Sequence, residues 1–339
     1  MSDSHSSGRS ELTPVYVVPA PRRTWLILLM ASVFMNFLLL VAIGSMQTVE
    51  LGPEEKFHSG DESASDKIAR VNVDFTIMPP YTDRIMEILD TVEEQDDVKG
   101  ILLVVNSPGG LVSDSHDIYH RLKEISESKP VWVYMKGLAA SGGYYVSMGA
   151  GPQGKIYADP TTWTGSIGVI MPRYDVSELA SKIGVASDSL ATGPLKDTLN
   201  PLKPMTERER EVWNAILDES FDRFLTIIDE NRDNLDMDQV RELATGQVYT
   251  ATQALENGLI DEIGYEEDVV DGLKSHLGLT RVRVVDYETP KSFVEELLGV
   301  QSRAAAAAED PLTRLLDAGV PRAMYIFGWH PGLTHSRAQ

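Results

Sequence analysis

From Lys67 onward, the apolar positions alternate between two periods. IARVNVDF (68–75) reads as a strand, Ile85, Ile88, Leu89 and Val92 recur at helical spacing, and GILLVV (100–105) is a continuous apolar run of the kind that forms a strand buried on both faces. Leu111, Ile118, Leu122 and Ile125 mark one face of the next helix. VWVYM (131–135) is the next strand, and the small-residue stretch Gly137 to Ala150 is able to open a further helix. This β-α-β succession predicts an α/β fold. Thr206 and Glu209 fit a capping box ahead of a long amphipathic helix whose apolar stripe includes Trp213, Ile216, Leu217, Phe224 and Ile228, a stripe most simply explained by core packing. Beyond Gly264 the pattern predicts a helix over 269–276 and a strand RVRVV (281–285), and the chain carries no internal repeat.

One segment stands apart. Residues 24–45 read TWLILLMASVFMNFLLLVAIGS, without a charged residue and with only Asn36 as a strongly polar interruption, so a helix here is able to cross a hydrocarbon core of about 30 Å. Arg22 and Arg23 precede it and Glu50, Glu54 and Glu55 follow, which places the N-terminal side in the cytoplasm and the rest outside. The run is longer than the h-region of a signal peptide and no clean A-x-A site follows it, so a retained anchor is expected. Residues 1–23 then form a polar cytoplasmic tail, 46–66 a flexible acidic linker, 67–300 the main α/β domain and 301–339 a C-terminal tail of unassigned role.

Composition narrows the chemistry. A formal charge of −21 over 339 residues repels phosphate backbones, which excludes nucleic acid as a natural partner. There are no cysteines, and the 7 histidines form no HExxH or HxH pattern, so neither thiolate chemistry nor a metal site is supported and no cofactor is called for. No histidine lies between His120 and His276; His116 and His120 share a helix face and read most simply as solvated.

Ala139-Ala140-Ser141-Gly142-Gly143-Tyr144-Tyr145 follows a strand and begins a predicted helix, a placement that suits a nucleophile with backbone N–H groups beside it. Asn106-Ser107-Pro108-Gly109-Gly110 ends the preceding strand, and its glycines let amides turn toward a developing oxyanion, so Gly109, Gly110 and Gly142 are the oxyanion-hole candidates. Sequence distance leaves His116 and His120 open as partners; the alternative base is a lysine whose pKa is lowered by its surroundings. Lys196, Lys203, Lys155 and Lys136 are alternatives on these grounds alone.

Taken together, NSPGG (106–110), AASGGYY (139–145), TGSIGV (164–169), GPLKDTLNPLKPMT (193–206) and GQVYTATQALENGLIDEIG (246–264) resemble the signal peptide peptidase A family, in order, over about residues 67–290. The resemblance implies a Clp/crotonase-like α/β fold and a Ser-Lys dyad, with Ser141 matching the nucleophile, Lys196 the base, and Ser166 a position that helps orient the lysine amine. It further implies a bacterial inner-membrane enzyme, periplasmic or otherwise extracytoplasmic, that assembles as a homo-oligomeric ring with base and nucleophile meeting across an interface, and cleaves remnant signal peptides or other apolar peptides. Lys203 stands where an arginine is more usual, and AMYIFGWHPGL (323–333) matches no motif of the family. Two other functions use the same residues: a crotonase-like acyl-CoA enzyme, which an extracytoplasmic location disfavours, and a catalytically silent membrane-attached scaffold for hydrophobic peptides, which the presence of both Ser141 and Lys196 disfavours.

Overall fold

A computed structural model describes residues 22–46, 52–151, 153–288 and 323–327, and the chain divides into two compact units, Met1–Glu50 and Leu51–Gln339. In the first unit the apolar segment forms one continuous helix, α1 (Arg22–Met46). Its described side chains, 25–39, are all exposed and cover about 22 Å of helix axis. Among the described residues no helix is long and apolar enough to cross a membrane, so the expectation of a span rests on the sequence.

The second unit follows the predicted alternation. After an edge strand β1 (Glu54–Gly60) come β2 (Lys67–Val73), α2 (Tyr81–Glu94), β3 (Val98–Ser107), the short β4 (Gly109–Leu111), α3 (Val112–Ser126), β5 (Val131–Ala140) and α4 (Gly142–Ser147). Two short strands, β6 (Ile156–Ala158) and β7 (Trp163–Gly165), precede α5 (Ser177–Lys182) and the long α6 (Glu207–Asn231). The chain continues through α7 (Met237–Leu243), β8 (Val248–Thr250), α8 (Ala251–Glu256), β9 (Glu262–Ile263), α9 (Glu266–His276) and β10 (Arg283–Glu288), and returns as β11 (Met324–Ile326). The main sheet has the order β1-β10-β2-β3-β5-β6-β9, parallel from β10 to β9, with β7 also parallel to β5 and antiparallel to β8.

The continuous apolar character of β3 follows from burial on both faces. Ile101, Leu103 and Val105 point into a core shared with α2, α3, α4 and α6 through Leu89, Ile118, Leu122, Tyr145 and Phe224. Leu102 and Val104 point the other way, into a smaller core with Trp132, Val269 and Leu273 under α9. The capping box forms as the sequence predicts: Thr206 Oγ1 accepts from the Glu209 amide, and the Glu209 carboxylate accepts from the Thr206 amide at 2.8 Å.

Three segments depart from the sequence reading. Within the expected acidic linker 46–66, residues 54–60 form a sheet strand, because Glu55 meets the nearly buried Lys67 at 2.7 Å and His58 lies 3.1 Å and 3.3 Å from Glu266 and Asp286. The small-residue stretch 137–150 opens its helix only at Gly142, because β5 runs on to Ala140, held by the register Leu138↔Trp163 to Ala140↔Gly165. In the tail, residues 323–327 fold back onto β4. The larger core makes a direct prediction. Leu103→Ala, at a fully buried central position, is expected to lower unfolding stability by about 2–5 kcal/mol, read as a fall in the urea midpoint with little change in slope.

Candidate active site

β3 and β5 are parallel neighbours, with Ser107 opposite Ala139, so NSPGG and AASGG leave the sheet at the same edge. Ser141 is the turn between β5 and α4. Its backbone sits at φ 56°, ψ −113°, a conformation that costs an ordinary residue about 1–3 kcal/mol, and its amide donates to the Gly165 carbonyl at 2.7 Å. Its side chain is 1% exposed, and Oγ is buried with no hydrogen-bond partner. A strained, buried hydroxyl left unpaired is costly as structure and useful as chemistry.

The glycines bring two chain segments into close register. A Cβ on Gly142 would lie 3.0 Å from the Gly110 amide nitrogen and 2.6 Å from Ser115 Oγ, while one on Gly109, at φ 99°, would lie 2.6 Å from the Gly142 amide nitrogen. One on Gly110 would collide with the Ile77 backbone. The amides of Gly110 and Gly142 therefore converge beside Ser141. The Gly109 amide is already committed, donating to Ser107 Oγ at 3.1 Å, and that hydroxyl in turn donates to the Phe75 carbonyl at 2.5 Å. Gly110 and Gly142 are therefore the candidate pair for an oxyanion, with the Gly110 amide facing Tyr325 of β11 in the β4–β11 pairing.

Ser166 is brought to the same place. It follows Gly165, which pairs with Ala140, and it is buried at φ 49° with its amide donating to the Gln247 carbonyl at 2.7 Å. Lys196 is not brought there: it is exposed in the turn-rich segment between α5 and α6, and Ser141 Oγ has no partner. The other lysines separate on chemistry. Lys203 lies 2.9 Å from the buried Glu209 and 3.6 Å from Asp197; its hydrogen bond to Glu209 raises its pKa, the wrong direction for a base. The same cluster, led by the Thr206 amide, holds the Glu209 carboxyl at about 2. Lys155 is paired with Glu262 at 2.5 Å, and Lys136 lies five residues back along β5, about 16 Å from Ser141.

Among the described residues, His116 and His120 do not supply a base to Ser141. His116 Nδ1 lies 2.9 Å from the Tyr145 hydroxyl, with its pKa lowered by burial, and His120 lies 3.5 Å from Glu124 on the surface. Two supporting residues were not singled out by the sequence reading. Ser107 fixes the Gly109 amide, and Thr164, whose hydroxyl donates to the Ala139 carbonyl at 2.6 Å, ties β7 to the strand that delivers Ser141. Ser107 lies within NSPGG, but its role depends on Phe75, which sequence position does not reveal.

An unpaired serine hydroxyl held under strain beside two convergent amides, at the carboxyl edge of a parallel sheet, is the constellation of a serine-type acyl-transfer enzyme. Comparison with known proteins names the kind. Peptidase family S49 matches residues 123–280, a range that holds Ser141, Ser166 and Lys196. Over 250 residues the chain is 36% identical to "Putative signal peptide peptidase SppA" of Enterococcus faecium, covering 71% of this chain and 72% of that protein. It is also 36% identical over 250 residues to "Putative protease slr0021" of Synechocystis, covering 73% and 88% respectively. It is 37% identical over 216 residues to the longer "Protease 4" of Haemophilus influenzae, covering 61% of this chain and 34% of that one. The chain belongs to peptidase family S49, the signal peptide peptidase A family, and is a serine peptidase.

The glycine convergence is testable apart from the nucleophile. Gly142→Ala puts a methyl group 2.6 Å from a Ser115 hydroxyl that is itself pinned to the Leu111 carbonyl, and so displaces the Gly142 amide. Turnover of a peptide ester is expected to fall about 10²- to 10³-fold, mainly in kcat and not in KM.

Proposed function

We propose that this chain is a membrane-anchored endopeptidase of the Clp/crotonase-like fold, in which Ser141 is the nucleophile, Lys196 of a second copy is the general base, and apolar peptides such as signal-peptide remnants are the substrates. The observation that carries the reading is the Ser141 hydroxyl, buried and unpaired beside the Gly110 and Gly142 amides. A hydroxyl in that setting lacks only a proton acceptor. The base in trans is supported by the segment that carries Lys196: around it Leu179, Ile183, Val185 and Leu190 are exposed, with Leu190 98% accessible, as suits a surface that packs against another copy. Burial there would desolvate the amine and lower its pKa toward the working range of a base.

The neutral Lys196 amine takes the Ser141 proton as Oγ attacks the scissile carbonyl carbon, and the Gly110 and Gly142 amides receive the negative oxygen. Collapse expels the amine of the departing fragment, which takes the proton from Lys196. Water, deprotonated by the Lys196 amine, then attacks the acyl carbon, and the resulting ammonium returns the proton to Ser141 Oγ as the ester bond breaks. Ser166 accepts a hydrogen bond from the lysine ammonium and orients it. The 22-residue uncharged run 24–45 anchors the enzyme in the inner membrane with the catalytic unit outside the cytoplasm, which puts apolar peptide remnants within reach.

Hydrolysis of a fluorogenic apolar peptide tests this. Ser141→Ala and Lys196→Ala are each expected to lower kcat by about 10⁴-fold or more, whereas Lys203→Ala keeps most of it. Mixing the two inactive variants after dissociation and reassembly is expected to restore a fraction of wild-type activity, because a Ser141-bearing copy then meets a Lys196-bearing one. Full activity in Ser141→Ala would remove the nucleophile assignment; a mixture that stays inactive would place the dyad within one copy.

A further inference from the structure

The segment that carries Lys196, residues 193–206, contains no helix or strand and no buried residue, yet it is tied down at several points. The Trp213 indole Nε1 donates to Thr198 Oγ1 at 2.7 Å. One Nη of the Arg173 guanidinium donates to the Asn200 carbonyl at 3.3 Å and to the Lys203 carbonyl at 2.6 Å. The Val176 amide donates to the Pro201 carbonyl at 2.9 Å. Asn200 locks the turn from within: its Nδ2 donates to Asp197 at 3.0 Å and to Ser187 Oγ at 2.8 Å, and its Oδ1 accepts from the Leu202 amide at 2.9 Å.

Two features set these ties apart from ordinary surface contacts. The first is strain. Leu199, between Thr198 and Asn200, has φ 63°, and among the described residues the only other non-glycines with a positive φ are Ser141 and Ser166. A leucine keeps that conformation only where its surroundings over-determine it. The second is that both holding side chains give up something to be there. Arg173 Nε is buried without a hydrogen-bond partner. Trp213 joins neither core, although Phe224 and Ile228 of the same apolar stripe on α6 are fully buried. What the two side chains share is a donor aimed at the loop.

We infer that Arg173 and Trp213 are positioning residues: they clamp the chain on either side of the strained Leu199 and so hold Lys196 in the geometry that proton transfer requires. The inference rests on the reading of Lys196 as the base. Lys196 is exposed in its own chain, so its direction follows from the backbone beneath it. A displacement of about 1 Å at a reacting group costs on the order of 10²-fold in rate. Arg173 grips the main-chain carbonyl of Lys203 and not its side chain, so Lys203→Ala leaves the clamp in place, in line with the retained activity expected above.

Steady-state hydrolysis of an apolar peptide ester by the full chain tests this. Arg173→Ala is expected to lower kcat about 10²-fold, and Trp213→Phe, which keeps a ring but loses the N–H, about tenfold, each with KM within about twofold of the parent. Arg173→Lys keeps the charge without the planar fork and is expected to recover only part of the loss. Sedimentation is expected to show the same assembly for all of them. In a Lys196→Ala background, single-turnover cleavage of the ester is expected to be no slower when Arg173→Ala is added, because the group being positioned is already gone. If Arg173→Ala does not fold, Trp213→Phe and Thr198→Val carry the comparison: each removes one side of the same hydrogen bond, and the double variant is expected to lose no more than either alone. Unchanged kcat in the variants, a rise in KM alone, a dissociated assembly, or an additive loss in the Lys196→Ala background overturns the inference. Hydrogen exchange at the Leu202 amide separates the clamp from the base. Faster exchange in Arg173→Ala together with full turnover by Lys196→Ala means that the loop is clamped but the base reading fails, and the inference with it. An inactive Lys196→Ala together with unchanged exchange and turnover in Arg173→Ala means that the base stands and the clamp fails.

Discussion

The constraint on which the site depends is the close approach of backbone to backbone where Gly109 and Gly110 meet Gly142 and Ile77. Each of these glycines sits where a methyl group would press on a main-chain atom, and Gly109 also has a positive φ that other residues adopt only under strain. Such an approach needs two parallel strands ending at the same level, and β3 and β5 supply it through the register that sets Ser107 opposite Ala139. It also needs a rigid platform behind them, which the doubly covered sheet provides. Shifting either strand by one residue would separate the amides and turn Ser141 away from them.

On that platform the chain assembles part of the catalytic apparatus proposed above. Ser141 is held in a strained, buried turn with its amide tied to Gly165, beside the Gly110 and Gly142 backbone. Within the chain, however, the carboxylates bind the wrong lysines: Glu209 holds Lys203 and favours its protonated form, and Glu262 is paired with Lys155. Lys196 escapes this because its turn-rich segment is exposed. In the proposed assembly, partner contacts would bury that lysine, so proton transfer would depend on oligomerisation.

The returning tail bears on access to the site. A cleft whose two edges both offer unpaired N–H and C=O groups is open to any extended segment, including one from the same chain. β11 satisfies those groups locally and places a tyrosine in a pocket built from α3, α4 and α6 neighbours. The same aromatic cluster, Tyr145, Phe224 and Tyr325, is part of the larger core of the folded chain.

The sequence by itself determined the alternation of strands and helices, the capping box at Thr206, the doubly buried character of GILLVV and the glycine-flanked Ser141, because each is set by residues close together in the chain. Period, capping chemistry and the steric demands of glycine are local. It also singled out Gly110 and Gly142, since small residues at strand ends are visible without a structure. Tertiary structure alone decided that Gly109 has its amide taken by Ser107, that Lys203 is held by a buried carboxylate, that 54–60 is a strand and not a linker, and that AMYIF lies against Gly110. Apart from the Lys203–Glu209 pairing, six residues apart, each of these depends on a partner far away in sequence: Phe75 for Ser107, β10 for β1, and Ile170 with β4 for the tail. A five-residue apolar segment carries too little pattern to name its own neighbours; only the packed sheet, with two backbone edges held a strand's width apart, makes a place for it.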